Sequence, residues 1–188
     1  MTTSKLQFRA ATPDDAPQLQ PLIKSAYRGE KIKKAWTSEG HLVADDRIDV
    51  QGIIAKISTP DSAILIAADD DGALVACCEV AKLSEGVGYF GLFAVDPARQ
   101  GGGLGRQVLA YAEEYVRRTW SVETMELNVI WTREEVIAWY LRRGYKRTGR
   151  TNPFPYHELV NGKALRDDLY FTILEKDLTS LPVAPADS

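Results

Sequence analysis

Cysteine is nearly absent from this 188-residue chain: Cys77 and Cys78 are its whole complement, and they are neighbours. Adjacent residues of one segment cannot staple distant parts of a fold. A disulfide-framed secreted domain is therefore excluded, and a reducing compartment, the cytoplasm, is the expected home. Histidine is as rare; His41 and His157 stand far apart and outside any ligand cluster, so no metal centre is expected. No apolar run approaches the roughly 18–20 residues that span a bilayer. Residues 1–25 also lack the apolar stretch of a leader peptide, so neither a membrane protein nor a secreted one is expected. Excess charge is missing too. The 23 Lys and Arg stand against 26 Asp and Glu, a net charge of −3, which offers no basic face to nucleic acid.

What is present is ordinary for a globular chain, with 45% hydrophobic and 26% charged residues, enough to bury a core without staples. The length points to a single domain over residues 1–178 and a disordered tail over 179–188, ending in LPVAPADS. Leu6 to Ala10 alternates as a short strand, and Thr12-Pro13-Asp14-Asp15 starts a helix that Pro17 and Pro21 should delay or kink. Residues 28–45 show no period and read as a long loop, with a second helix from Asp46 to Ile57. Ile64 to Ile66, an Asp69-Asp70-Asp71-Gly72 turn and Ala73 to Ala81 form a hairpin, and Tyr89 to Val95 is a near-continuous apolar strand. Cys77 and Cys78 alternate across the hairpin's return strand, so one should enter the core and the other face a second layer. An amphipathic helix carries Leu104, Val108, Leu109, Ala112, Tyr115 and Val116 on one face. Met125 to Trp131 is a strand, Thr132 caps a helix running to Arg143 and ended by Gly144, and Tyr145 to Thr148 and Asp168 to Leu174 are the last strands. The order β-α-α-β-β-β-α-β-α-β-β implies class α+β: an α/β/α sandwich around a mixed, mostly antiparallel sheet of about six to seven strands.

The segment Gln100-Gly101-Gly102-Gly103-Leu104-Gly105-Arg106 stands between a buried strand and a helix N-terminus. Glycines allow close backbone approach, and first-turn N–H groups together with the helix dipole favour phosphate. A bland strand-to-helix turn is the competing reading. Arg106-Gln107 follows Gly105 where a Walker loop needs Lys-Ser/Thr, and Val108 stands where the dinucleotide fingerprint needs its third glycine. Both nucleotide motifs fail.

Gln100-x-x-Gly103-x-Gly105, preceded by Leu92-Phe93-Ala94-Val95-Asp96-Pro97 and followed by Trp139-Tyr140-Leu141-Arg142-Arg143-Gly144-Tyr145, resembles the ordered motifs of the GNAT superfamily of acyl-CoA-dependent N-acetyltransferases. The element order is similar as well, over roughly residues 5–176. The resemblance implies acetyl-CoA as cosubstrate and direct attack by a primary amine. It implies that the pyrophosphate lies on Gln100, Gly101, Gly102, Gly103, Leu104, Gly105 and Arg106, with the pantetheine arm along Phe93, Ala94 and Val95. It also implies that Tyr140 is the general acid toward the leaving thiolate; a core tyrosine beside Ile137 and Leu141 is the plainer alternative. The family's strand glutamate is missing from Tyr89-Phe90-Gly91. Glu79 is then the tentative base, with Glu39 and His157 as further candidates. Arg133 replaces the family's usual asparagine and could bring a cation near CoA. Many relatives are dimers, so a homodimer is possible. Loops 28–45 and 150–166 are expected to shape the acceptor site, with Trp36, Trp131 and Phe154-Pro155-Tyr156 as aromatic walls or plain packing. The acceptor stays open. Readings from other classes are a degenerate CoA-binding regulatory module and an unrelated phosphate-binding protein.

Overall fold

The computed structural model describes residues 5–28, 39 and 41–182. A seven-stranded sheet runs in the order β1-β3-β4-β5-β6-β9-β7. Its strands are β1 (Gln7–Ala10), β3 (Ser62–Ala68), β4 (Leu74–Ser84), β5 (Val87–Val95), β6 (Thr124–Ile130), β7 (Lys146–Pro153) and β9 (Tyr170–Asp177). Only the β5–β6 pair is parallel; the other pairs are antiparallel. Helices α1 (Ala16–Arg28) and α2 (Val50–Ser58) cover one face, and α3 (Leu104–Trp120) and α4 (Glu134–Leu141) the other. The expected α/β/α sandwich is what forms. Strand alternation sends Cys77 into the α1–α2 layer and Cys78 into the α3–α4 layer, both fully buried.

Local chemistry shifts several element ends. The prolines delay α1 as read: Pro13–Asp15 is a 3-10 turn, held by Asp15 accepting from Thr12 N at 2.7 Å, and the α-helix starts at Ala16. Helix α2 begins later than Asp46, because Asp49 caps it by accepting from Gly52 N at 2.7 Å. Thr132 does not cap α4. Arg133 occupies that position, and Thr132 Oγ1 is buried with no hydrogen-bond partner among the described residues. The helix also stops at Leu141, ahead of Arg143, and Gly144 takes a φ of +93°. A short pair, β2 (Val43–Ala44) with β8 (Lys163–Ala164), joins two stretches read as loops. Residues 179–182, read with the tail, lie against α3, where Arg117 Nη1 donates to Leu181 O at 3.3 Å. Residues 29–38, which carry Lys31 to Lys34 and Trp36, fall outside the described part. No described helix is long and apolar enough to cross a membrane.

The feature that positions the site is a split in the sheet. The β5–β6 ladder pairs Val87–Phe90 with Thr124–Leu127 and ends there. Beyond it β5 follows β4 while β6 follows β9, and the two strands part. The register of β4 against β5 shifts between Cys77 and Glu79, and opposite that shift Leu92 sits at a φ of +45°. A bulge of this kind raises local twist and turns a strand away from its neighbour.

Candidate active site

Two hollows meet at the split. The first, of about 410 Å³, is lined by Val95, Gln100, Gly101, Gly103, Leu104, Gly105, Arg106, Trp139 and Arg143. Its floor is preorganised. Asp96 accepts from Ala98 N at 3.0 Å, Gln100 Nε2 donates to Val95 O at 3.2 Å, and Arg99 pairs with Asp69 at 2.7 Å, so Arg99 anchors the loop. Gly103 caps α3 in the left-handed region at φ +76°, where a side chain would be strained. Gly102, exposed, is not part of the lining.

Trp139 and Arg143 complete this hollow. The Arg143 guanidinium stacks 3.6 Å from the Trp139 ring centroid and donates to Trp139 O at 2.8 Å. Arg143 Nε is buried with no hydrogen-bond partner among the described residues. Burial lowers the Arg143 pKa, and repulsion from Arg142 and Arg106 lowers it further. Cations this crowded beside a helix N-terminus make a site for a phosphate-bearing anion. The four-residue spacing of Trp139 and Arg143 was available in the sequence; the stacking that aims Arg143 was not.

The second hollow, of about 270 Å³, opens between β5 and β6. Its walls are aromatic (Tyr27, Tyr89, Phe90, Phe93, Phe154, Phe171), and Tyr140 stands among them. Phe93 and Tyr140 line this hollow while their neighbours Val95 and Trp139 line the first, so the two adjoin along β5 and α4. Ala94 is fully buried in the α1–α2 layer, which leaves its main chain for any ligand. Tyr140 lies against Phe90, Trp139 and Tyr145, with ring centroids 6.4, 5.0 and 5.6 Å away. Burial pushes its phenol well above the usual range, with Arg133 pulling the other way. The phenol is therefore protonated at neutral pH.

Glu79 does not line the hollow. Both of its oxygens accept from Lys56 Nζ at 2.9 Å, and it lies opposite Gly91 in the β4–β5 ladder. Tyr89 does line the hollow, and the Glu79 charge reaches it. Its hydroxyl folds back over Gly91, 2.3 Å from where a Cβ would be, so only glycine at 91 admits it. Burial raises the Tyr89 phenol to about 12, and the charge of Glu79 adds to the rise. Arg133 is turned inward to Glu39, Nη1 to Oε1 at 3.3 Å, and is not in the lining of the glycine hollow. Glu39 also accepts from Arg28 at 3.0 Å, and Arg28 Nε donates to Asp45 at 2.6 Å. Of the other candidates, His157 and His41 are exposed. Trp131 stacks on Tyr170 at 5.6 Å outside the hollow's lining. Burial drives both thiols up, Cys77 to about 12, so neither offers a thiolate. No group of three or more potential metal ligands occurs among the described residues.

Similarity to known proteins accords with this geometry. A sequence model described as "Acetyltransferase (GNAT) family" matches residues 22–145. No curated protein matches the chain in sequence. Among solved structures, yncA of Salmonella typhimurium, solved with its cofactor acetyl-CoA, superposes with a TM-score of 0.66 at 18% identity over 98% of this chain and 100% of that one. An N-acetyltransferase from Staphylococcus aureus Mu50 gives 0.68 at 11% identity over 93% and 99%. Spermidine/spermine N-acetyltransferase SpeG from Vibrio cholerae, solved in complex with manganese ions, gives 0.62 at 13% over 93% of each chain. Family match, split sheet and glycine loop agree: the chain belongs to the acetyltransferase (GNAT) family.

Proposed function

We propose that the protein is an N-acetyltransferase that moves the acetyl group of acetyl-CoA to a primary amine by direct attack. The observation that carries this reading is the meeting of an anion-fitted hollow and an aromatic hollow at the split between β5 and β6, with Tyr140 beside the junction. The diphosphate of acetyl-CoA sits on the loop from Gln100 to Arg106, with Arg143 as an added cation. The pantetheine arm runs along Phe93, Ala94 and Val95, where β5 and β6 have parted. The thioester then faces the aromatic hollow, which holds the acceptor.

The amine nitrogen forms the new C–N bond as the C–S bond breaks. An ammonium near pKa 10.4 must first lose a proton, and the tetrahedral nitrogen must lose another. Glu79 receives the first through water at the Tyr89 hydroxyl, since Tyr89 lines the hollow and feels the Glu79 charge, and the second ends on the departing thiolate, which leaves as the thiol. Tyr140 donates toward the leaving sulfur. Its raised pKa makes full transfer to a thiolate of pKa about 8.5 uphill, so hydrogen bonding to the departing sulfur is its larger contribution. Arg133, within electrostatic reach, steadies any phenolate that forms.

The absence of a glutamate from Tyr89-Phe90-Gly91 favours a second reading, a CoA-binding module without turnover. Titration calorimetry with acetyl-CoA, followed by thiol release over an amine panel, separates the two. Binding with turnover supports the enzyme, binding alone supports the module, and no binding defeats both. The same sample, run by light scattering, tests the homodimer.

A further inference from the structure

The lining of the aromatic hollow carries the guanidiniums of Arg28 and Arg47 and the carboxylates of Glu39, Asp45 and Glu158, and Arg133 reaches Glu39 from outside that lining. Every oxygen of Glu39 and Asp45 already has a partner. Glu39 Oε1 accepts from Arg133 and Oε2 from Arg28, at 3.3 and 3.0 Å. Asp45 Oδ1 accepts from Arg28 Nε at 2.6 Å and from the Arg47 amide at 3.1 Å, and its Oδ2 from Val160 N at 3.3 Å.

Arg47 is left over. Its guanidinium lies 5.0 Å from the Tyr27 ring centroid, lines the hollow, and forms no salt bridge among the described residues. Glu158 belongs to the same lining, but its side chain is 69% exposed and sits beside His157 at 3.5 Å, so it stands at the solvent side. Glu39 and Asp45 act on Arg47 through space but make no ion-pair contact with its guanidinium, so an anion that reached it would gain a direct partner. The planar fork of a guanidinium matches a carboxylate in particular. A hollow of about 270 Å³ with aromatic walls leaves room for a small, partly apolar body.

We infer that the acceptor is a small amine that also carries a carboxylate, of amino-acid size with an apolar side chain, and that Arg47 holds the carboxylate. The inference rests on the acetyl-transfer reading for the fate of the amine, while the carboxylate contact stands apart from it. At Arg47 itself the second ammonium of a polyamine would meet a like charge.

The test compares leucine, methionine and phenylalanine with their carboxamides, and with spermidine, by calorimetry on the full chain and by acetylation. Charge-assisted hydrogen bonds of this kind set the scale: each acid should bind about 10–100-fold more tightly than its amide. Arg47→Gln should erase that difference and leave acetyl-CoA binding unchanged, with Arg47→Lys retaining part of it. If Arg47→Gln unfolds, the acid–amide comparison on the wild type together with Arg47→Lys still decides. Equal binding of acid and amide, tighter binding of spermidine, or no binding of any acid overturns the inference. Failure of acetyl-CoA to bind, with acid–amide discrimination intact, would instead defeat the transfer reading alone.

Discussion

The glycine hollow and the aromatic hollow are built on opposite plans. The first comes mostly from one continuous stretch, Val95 to Arg106, closed by Trp139 and Arg143 one helical turn apart. The second is assembled from the end of α1, the segment around Glu39 to Arg47, β5, β6, α4 and the Phe154 to Leu159 turn. Its polar contacts cross long distances in sequence, as with the Glu39 to Arg133 ion pair and the Val160 amide donating to Asp45. On the proposed function, the short-range site would hold the CoA that every acceptor shares, and the long-range site would choose the acceptor by which side chains converge. The difference teaches that CoA binding and acceptor choice should respond separately to mutation.

The largest effect should come from Gly103→Trp. A bulky residue at φ +76° on the cap of α3 fills the glycine hollow, and acetyl-CoA binding should fall by about 1,000-fold or more in calorimetry. Intact acid–amide discrimination in the same variant would sharpen the contrast. Glu39→Ala acts on the other half: it leaves Arg28 and Arg133 without a shared carboxylate and should cost about 3 kcal/mol in urea unfolding. A matching loss of acetyl-CoA affinity would break the separation.

Tyr140→Phe should lower kcat about 100-fold with little change in the Kd of acetyl-CoA; unchanged turnover removes Tyr140 from the chemistry. Arg143→Gln should weaken acetyl-CoA binding about 10-fold and leave acceptor KM alone. The smallest effect concerns pH. The Arg9 hydrogen bond first, and the Thr12 amide after it, hold Asp15 at about 2, below its ordinary value. A depressed carboxylate contributes stability above its unfolded pKa and loses it as pH falls toward 2. Solvent screening limits this to about 1 kcal/mol, which Asp15→Asn should remove from the acid limb of the unfolding curve.

Most elements were legible because their signals are local. The period of Leu104, Val108, Leu109, Ala112 and Val116 defines α3, and the run from Tyr89 to Val95 defines β5. Misplaced ends came from competing equals. Asp45, Asp46 and Asp49 are all good caps, and only tertiary partners engage Asp45 with Arg28 and Asp46 with Lys24, leaving Asp49 to start α2. The β2–β8 pair involves two residues on each side and has no periodic signature to read.

Sequence alone determined the family motif, the alternation of layers and the glycine loop, since each depends on residues close together in the chain. It also named Tyr140, through its place in a contiguous motif. The tertiary structure decided what lines the second hollow. It parted β5 from β6, folded Tyr89 over Gly91, turned Arg133 toward Glu39 and left Arg47 facing the hollow. Those outcomes depend on which charges pair when distant segments pack. Pairing of that kind follows distance and desolvation in space, which no local pattern encodes.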